Sequence, residues 1–227
     1  MAHTFAGRTF VLRIDRSPID DTTTLASDLA FLLERDVRPI LVAPTTDAAR
    51  SYVRVLNRAT NVAVGLSGAD AALLPAAGSE RVGRVQAGIL STLTSAGYIP
   101  VIEPTAYAFA GTSGDIDVAA DDVASAVAAA TEAARAIFFY EGGGVVDPAS
   151  RALVAELTPA EALALADNDA LDPHLRAAVR AAAHGVRAGV GAAQILDGRI
   201  AHAAIVEFLT DCHLGTQVAG TVYLGAA

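Results

Sequence analysis

The chain has 227 residues, a formal net charge of −9 and 53% hydrophobic residues, many of them Ala, with aromatics at 5% and no Trp. That length suits one large domain or two tightly joined lobes, and the composition is that of an Ala-rich α/β protein, which excludes the disordered and fibrous classes. The acidic balance excludes a broad nucleic-acid surface, which needs clustered positive charge, so an anionic ligand must be held by a local group of Arg, His and backbone N–H donors.

The segment from Met1 to Arg8 lacks the basic region and long apolar run of a secretion signal. Charges, Gly or Pro interrupt every later apolar run before it reaches the length of a membrane span, so a soluble, cytoplasmic protein with no membrane partner is expected. Thr9–Ile14 is a short β-branched run and reads as a first strand. Asp20–Glu34 carries Leu25, Leu29, Leu32 and Leu33 near helical spacing. Pro39–Ala43 is the continuous apolar run of a buried parallel strand. A helix over Asp47–Asn57, a strand over Asn61–Leu66, a helix over Val85–Ala96 and a strand over Ile99–Ile102 follow. The Ala-rich stretch Asp121–Arg135 reads as a long helix and Ala136–Tyr140 as a strand. Thr158–Ala166 opens with a capping box and a Pro at the first helical position. Pro173–Gly185 is a helix closed by Gly185, and Gly191–Leu196 and Ala203–Thr210 close the chain as strand and helix.

Strands alternating with helices imply a three-layer αβα fold with a mostly parallel central sheet, whose ligands bind outside the carboxyl ends of the strands. That directs attention to Arg13–Pro18, Ala43–Asp47, Ser67–Asp70, Glu103–Asp117 and Glu141–Gly144. No His, Cys or Asp spacing resembles a metal site, and Ser67 has no neighbouring His for hydrolase chemistry. The single Cys212 permits no intrachain disulfide and reads as a buried, inert thiol.

From Asn61 onward a series of motifs carries a resemblance. It comprises Ala63-Val-Gly-Leu-Ser-Gly-Ala-Asp70, Gly97-Tyr-Ile-Pro-Val-Ile-Glu-Pro104, Ala120-Asp-Asp-Val-Ala124 and Glu156-Leu-Thr-Pro-Ala-Glu161. It continues through Pro173-His-Leu-Arg-Ala-Ala178, Leu196-Asp-Gly-Arg-Ile-Ala-His-Ala203 and Phe208-Leu-Thr-Asp-Cys-His-Leu-Gly-Thr216. In this order the motifs resemble the amino acid kinase family, in its acetylglutamate kinase branch, and Thr9–Pro44 matches more loosely. The resemblance implies one amino acid kinase-like domain over 1–227, with an N-terminal lobe over about 1–115 and a nucleotide-lobe-like part over about 116–227. It implies ATP with Mg²⁺ as cofactor, transfer of the γ-phosphoryl to a carboxylate, and a homodimer or a heteromer with a paralogue.

Matched position by position, the family's first catalytic lysine becomes Arg13, its second becomes His174, and the organising acid of its Ala-Asp motif becomes Asp121. The nucleotide strand end reads Tyr140-Glu141, followed by Gly142 and Gly144, which the resemblance assigns to cofactor binding. The chain departs from the family pattern at several points. All 16 of its basic side chains are Arg. The glycines of the first loop are Asp15 and Arg16, the second loop reads Ala43-Pro44-Thr45-Thr46, and the lysine of the Gly-Lys-Asp turn is Ala69. Only one helix fits between Thr46 and Asn61, where the family has two helices and a substrate-gripping hairpin.

The residues themselves leave alternatives open. Asp121 is a helix-start acid or an organiser of cations; Arg13 contacts an anion or pairs with Asp15 or Asp117. His174 is a surface helix residue or a phosphate contact, His202 and His213 read as structural, and Arg199 is expected to brace a sheet edge. The acids Asp115, Asp117, Asp121 and Asp122 read as a solvated helix start rather than a Mg²⁺ site. The leading expectation is a kinase-fold protein that has lost phosphoryl transfer and serves as a ligand-binding, regulatory or structural subunit. The alternative is an active ATP-dependent kinase of another small acid, using Arg13 and His174 as cations and Asp121 as organiser.

Overall fold

A computed structural model describes residues 5–14, 22–59, 61–78, 80–108, 114–147, 150–167, 171–209 and 214–220. Asp15, Arg16, Cys212 and His213 lie outside the described residues. In chain order the elements are β1 (Thr9–Arg13), α1 (Thr22–Leu33), β2 (Arg38–Val42), α2 (Thr46–Ala59), β3 (Ala63–Leu66), α3 (Gly88–Ser95), β4 (Ile99–Ile102), β5 (Thr105–Tyr107) and β6 (Asp115–Asp117). They continue with α4 (Ala120–Ala130), β7 (Arg135–Tyr140), β8 (Glu156–Leu157), α5 (Pro159–Ala166), α6 (Pro173–Arg187), β9 (Ala192–Asp197), α7 (Ala203–Leu209) and β10 (Thr216–Ala219).

Eight strands form the central sheet in the order β3-β4-β2-β1-β7-β9-β10-β8, and β5 and β6 form a small antiparallel pair beside it. From β3 through β9 all neighbours are parallel, while β10 runs antiparallel to β9. Both faces of the middle strands are covered, which is why β1 and β2 read as unbroken apolar runs. Val11, Ile40, Val42 and Phe138 point into one core with Leu90, Val123, Val127 and Val179 of α3, α4 and α6. Phe10, Leu12, Leu41 and Ile137 alternate onto the other face against Leu29, Tyr52 and Leu56 of α1 and α2. Each fully buried aliphatic side chain there contributes roughly 1.5–3 kcal/mol. Among the described residues no helix is long and apolar enough to cross a membrane.

Several boundaries differ from the sequence expectation. The helix expected over Asp121–Arg135 ends at Ala130, because the Ala134 N–H is taken by the Thr9 carbonyl (2.9 Å) as β7 enters the sheet. Alanine continues a helical pattern through a turn that tertiary pairing breaks. Gly185 lies inside α6 rather than closing it: a Cβ there would meet Ser125 Oγ of α4 at 3.2 Å, so Gly185 serves close helix packing. The helix expected to start at Val85 starts at Gly88. The strands β5, β6, β8 and β10 were not anticipated. Between β2 and β3 the described residues form the single helix α2.

Candidate functional site

The parallel strands deliver their carboxyl ends to one edge of the sheet. Chain order reverses between β1, whose next strand β2 lies on one side, and β7, which leads to β9 on the other. In open α/β sheets ligands bind outside the strand ends where chain order reverses, which here is the β1–β7 position. Arg13 is the last residue of β1, and Asp121 stands in the first turn of α4. Their side chains meet there, Arg13 Nε to Asp121 Oδ1 at 2.7 Å, each 13% exposed. The structure therefore brings together two of the residues singled out in the sequence. Asp121 does not cap its helix, since the N-cap is Ala119 with no side-chain cap bond. Asp117 is exposed on β6, Asp121 is an acid that Arg13 meets, and Asp15 lies outside the described residues.

A second group forms at the end of β7. Asp172 caps α6, its Oδ1 accepting the N–H groups of His174 (2.9 Å) and Leu175 (3.3 Å). The Tyr140 side chain, at the end of β7, hydrogen-bonds to Asp172, and this bond is the first of the causes that hold the carboxyl below its ordinary range. The two backbone N–H groups and the nearby His174 act in the same direction. Tyr140 and His174, both singled out in the sequence, are thus joined through Asp172, which sequence reasoning missed. The signal was present as Asp before Pro at a helix start, a cap followed by the favoured first-turn residue. His174 itself is exposed, as is Glu141.

The glycines at this edge have definite neighbours. A Cβ on Gly144 would lie 2.5 Å from Thr216 Oγ1 and 2.7 Å from its backbone N. Thr216 uses that hydroxyl to accept from Val145 N (2.7 Å) and to donate to the Val154 carbonyl (2.7 Å), so Gly144 lets β10 close on the loop. A Cβ on Gly142 would strike the Tyr140 ring at 2.4 Å. Gly143, at φ +75°, makes the left-handed turn between them. In the loop after β3, a Cβ on Gly68 would sit 2.0 Å from the Thr105 carbonyl oxygen. Asp70 closes the same loop by accepting from Ser67 N (2.7 Å) and Ser67 Oγ (2.9 Å), and Ala69 is exposed.

Two further ion pairs flank the β1–β7 position. Arg50 of α2 reaches Glu103 at the end of β4 (3.9 Å). Arg199 forks onto Asp197 at the end of β9, with bonds of 3.0 and 2.7 Å, so the expected pairing with an acid forms within the turn itself. Hydrogen bonding to Arg199 is the main reason the Asp197 carboxyl titrates below its usual range. His202 pairs with Asp28 of α1, while burial, the larger influence, pushes the Asp28 carboxyl up.

The fit of a nucleoside triphosphate can be tested on these contacts. A phosphate cradle needs glycines whose Cβ space is left open to the ligand. In the described loops after β3 and β7, Gly68, Gly142 and Gly144 have that space filled by protein. No group of three or more His, Cys, Asp or Glu among the described residues could hold a metal ion. In these two loops the described glycines form no open cradle for a triphosphate, residues 15–21 after β1 lie outside the described residues, and no phosphoryl-transfer step is derived.

Comparison with known proteins supplies a second line of observation. The model of the amino acid kinase family matches residues 45–190. An acetylglutamate kinase of Nostoc sp. (strain PCC 7120 / SAG 25.82 / UTEX 2576) is 31% identical over 275 positions, covering 96% of this chain and 90% of the relative. That alignment is longer than the chain itself, so the relative carries residues that this chain lacks. An acetylglutamate kinase of Prochlorococcus marinus (strain MIT 9303) is 37% identical over 187 positions, covering 75% of this chain and 58% of the relative. In structure, an N-acetylglutamate synthase of Neisseria gonorrhoeae, solved with coenzyme A and N-acetyl-glutamate, superposes with a TM-score of 0.82 at 18% identity. That superposition covers 98% of this chain and 62% of the synthase chain. A carbamate kinase of Giardia lamblia bound to AMP-PNP superposes with a TM-score of 0.69 at 13% identity, over 97% of this chain and all of the other. At these identities the superpositions establish the fold.

Proposed function

We infer the function of this chain from one premise: it belongs to the amino acid kinase family. The reading that the geometry supports best is an acetylglutamate kinase-like protein that has lost phosphoryl transfer and serves as a ligand-binding or regulatory subunit. It holds a small anion in the crevice between β1 and β7 through Arg13, which Asp121 orients. The observation that carries this reading is the packing of the described glycines: a Cβ on Gly68, Gly142 or Gly144 would meet Thr105, Tyr140 or Thr216 of the protein itself rather than open space. The chemistry of the other side chains agrees. Ala69 has no charge to place on a transferring phosphoryl group, and Pro44 has no N–H to offer.

A second reading is favoured by one observation, the preserved Arg13–Asp121 pair. It is an ATP-dependent kinase of another small acid, with the guanidinium of Arg13 in place of a lysine. Assembly as a dimer, or as a heteromer with a paralogue, belongs to the same proposal. The outer edge of β3, one of the two terminal strands of the sheet, is a surface on which such pairing could draw. Light scattering at micromolar concentration reads that assembly, and a strictly monomeric mass overturns it.

Calorimetric titration of ATP with and without Mg²⁺, beside an ATP-coupled acyl-phosphate assay on N-acetylglutamate, separates the two readings. The leading reading expects no turnover. Turnover on the order of 1–10³ s⁻¹ would overturn it.

A further inference from the structure

A second polar groove lies at the opposite edge of the sheet, at the amino ends of β1 and β2. Its volume is about 410 Å³, and its floor and walls include Arg8, Thr9, Arg38, Ser91, Thr94 and Glu132. Thr9 and Arg38 are register partners on adjacent parallel strands, Arg38 N donates to the Arg8 carbonyl (2.9 Å), and both arginines belong to the groove's lining. Thr9 and Arg38 share the sheet face of Val11 and Ile40, which looks toward α3 and α4. From α3 the groove receives Ala87, Leu90, Ser91 and Thr94, one helical face; from the end of α4 it receives Ala130, Thr131 and Glu132.

We propose that this groove is a binding site for a small oxyanion, a phosphate or carboxylate group, distinct from the crevice at Arg13. Ion pairs between acids and Arg8 or Arg38 are absent among the described residues, although Asp36 and Glu132 stand nearby. Among the described residues, then, neither guanidinium is held by a carboxylate, in a chain whose net charge is −9. Thr94 and Thr131 spend their hydroxyl protons on the carbonyls of Leu90 and Val127 (2.8 Å each). The donors left for an anion are the guanidinium groups and the Ser91 hydroxyl, and a forked guanidinium suits two oxygens of one group.

Titration of the full chain with inorganic phosphate, and separately with succinate, at constant ionic strength tests the assignment. The measurement is made on the Arg13→Gln chain, in which the crevice has lost its cation. Saturable binding of one anion is expected there. It should weaken roughly tenfold or more when Arg8→Gln and Arg38→Gln are added. It should weaken likewise with Ser91→Glu, a change at an exposed helix position that places negative charge in the groove. Circular dichroism establishes that each variant is folded. The tighter of the two anions identifies the source as a phosphate ester or a carboxylic acid, and either supports the site. Absence of saturable binding in the Arg13→Gln chain, or binding unchanged by the groove substitutions, overturns it.

Discussion

The Arg13–Asp121 pair sets the energetics of the crevice. Both side chains are largely withdrawn from water. In such a pair the desolvation penalty offsets much of the Coulomb attraction, whereas removing one partner strands the other charge. Arg13→Met should therefore cost about 3 kcal/mol, while Arg13→Met with Asp121→Leu should be close to neutral. Urea denaturation measures both, and equal losses in the single and double variants would refute the coupling. Asp172 permits a sharper test. Its carboxyl is depressed chiefly by the Tyr140 side chain, so Tyr140→Phe should raise it toward its ordinary value of 3.8, read by NMR titration of that carboxyl. The folded state binds this proton less tightly than the unfolded state. The contribution of Asp172 is thus fully present above the ordinary carboxylate range and is lost as pH falls through the depressed folded value. The acid limb of the stability curve should accordingly be shallower in Tyr140→Phe than in the parent chain.

Elements assemble here through contacts of very different legibility. The capping box at α5 was plain in the sequence, and the structure shows both halves: Glu161 Oε2 accepts from Thr158 N (2.8 Å), and Glu161 N donates to Thr158 Oγ1 (3.3 Å). Thr158→Ala should cost about 1 kcal/mol in thermal or urea unfolding. Gly144→Ala should cost more, about 1–3 kcal/mol, because its Cβ meets Thr216 at the closure of β10 on the loop. A variant as stable as the parent would show that β10 tolerates displacement. Long apolar strands such as β2 and capped helices such as α6 were readable because local pattern and tertiary role agree. Short strands were not: β8 has two residues and β10 four, and what makes them strands is pairing across the sheet. The site divides in the same way. Arg13 and Asp121 were found through their motifs, but their partnership is a tertiary fact, and so is the packing role of Gly144.

At the scale of the molecule, one sheet separates two cores, and strands β1, β2 and β7 contribute to both. Neither half can lose its helices without exposing a face of the shared strands. Urea unfolding should then be a single transition, coincident by circular dichroism and by tyrosine fluorescence. Leu41→Ala, at a fully buried position, should lower its midpoint by an amount worth about 2–5 kcal/mol. Two separated transitions would show that the lobes unfold independently. The single helix between β2 and β3 has a kinetic corollary. Enzymes that sequester a reaction from water do so with segments that fold over the bound molecule, and those segments govern how fast it leaves. The anion proposed between β1 and β7 has no hairpin between β2 and β3 to fold over it, so on that reading its exchange with solvent is expected to follow diffusion and affinity. At an association rate on the order of 10⁸ M⁻¹s⁻¹ and a dissociation constant of about 0.1 mM, its residence is roughly a tenth of a millisecond. On the proposed reading, such an occupant reports changes in its own concentration almost as they occur.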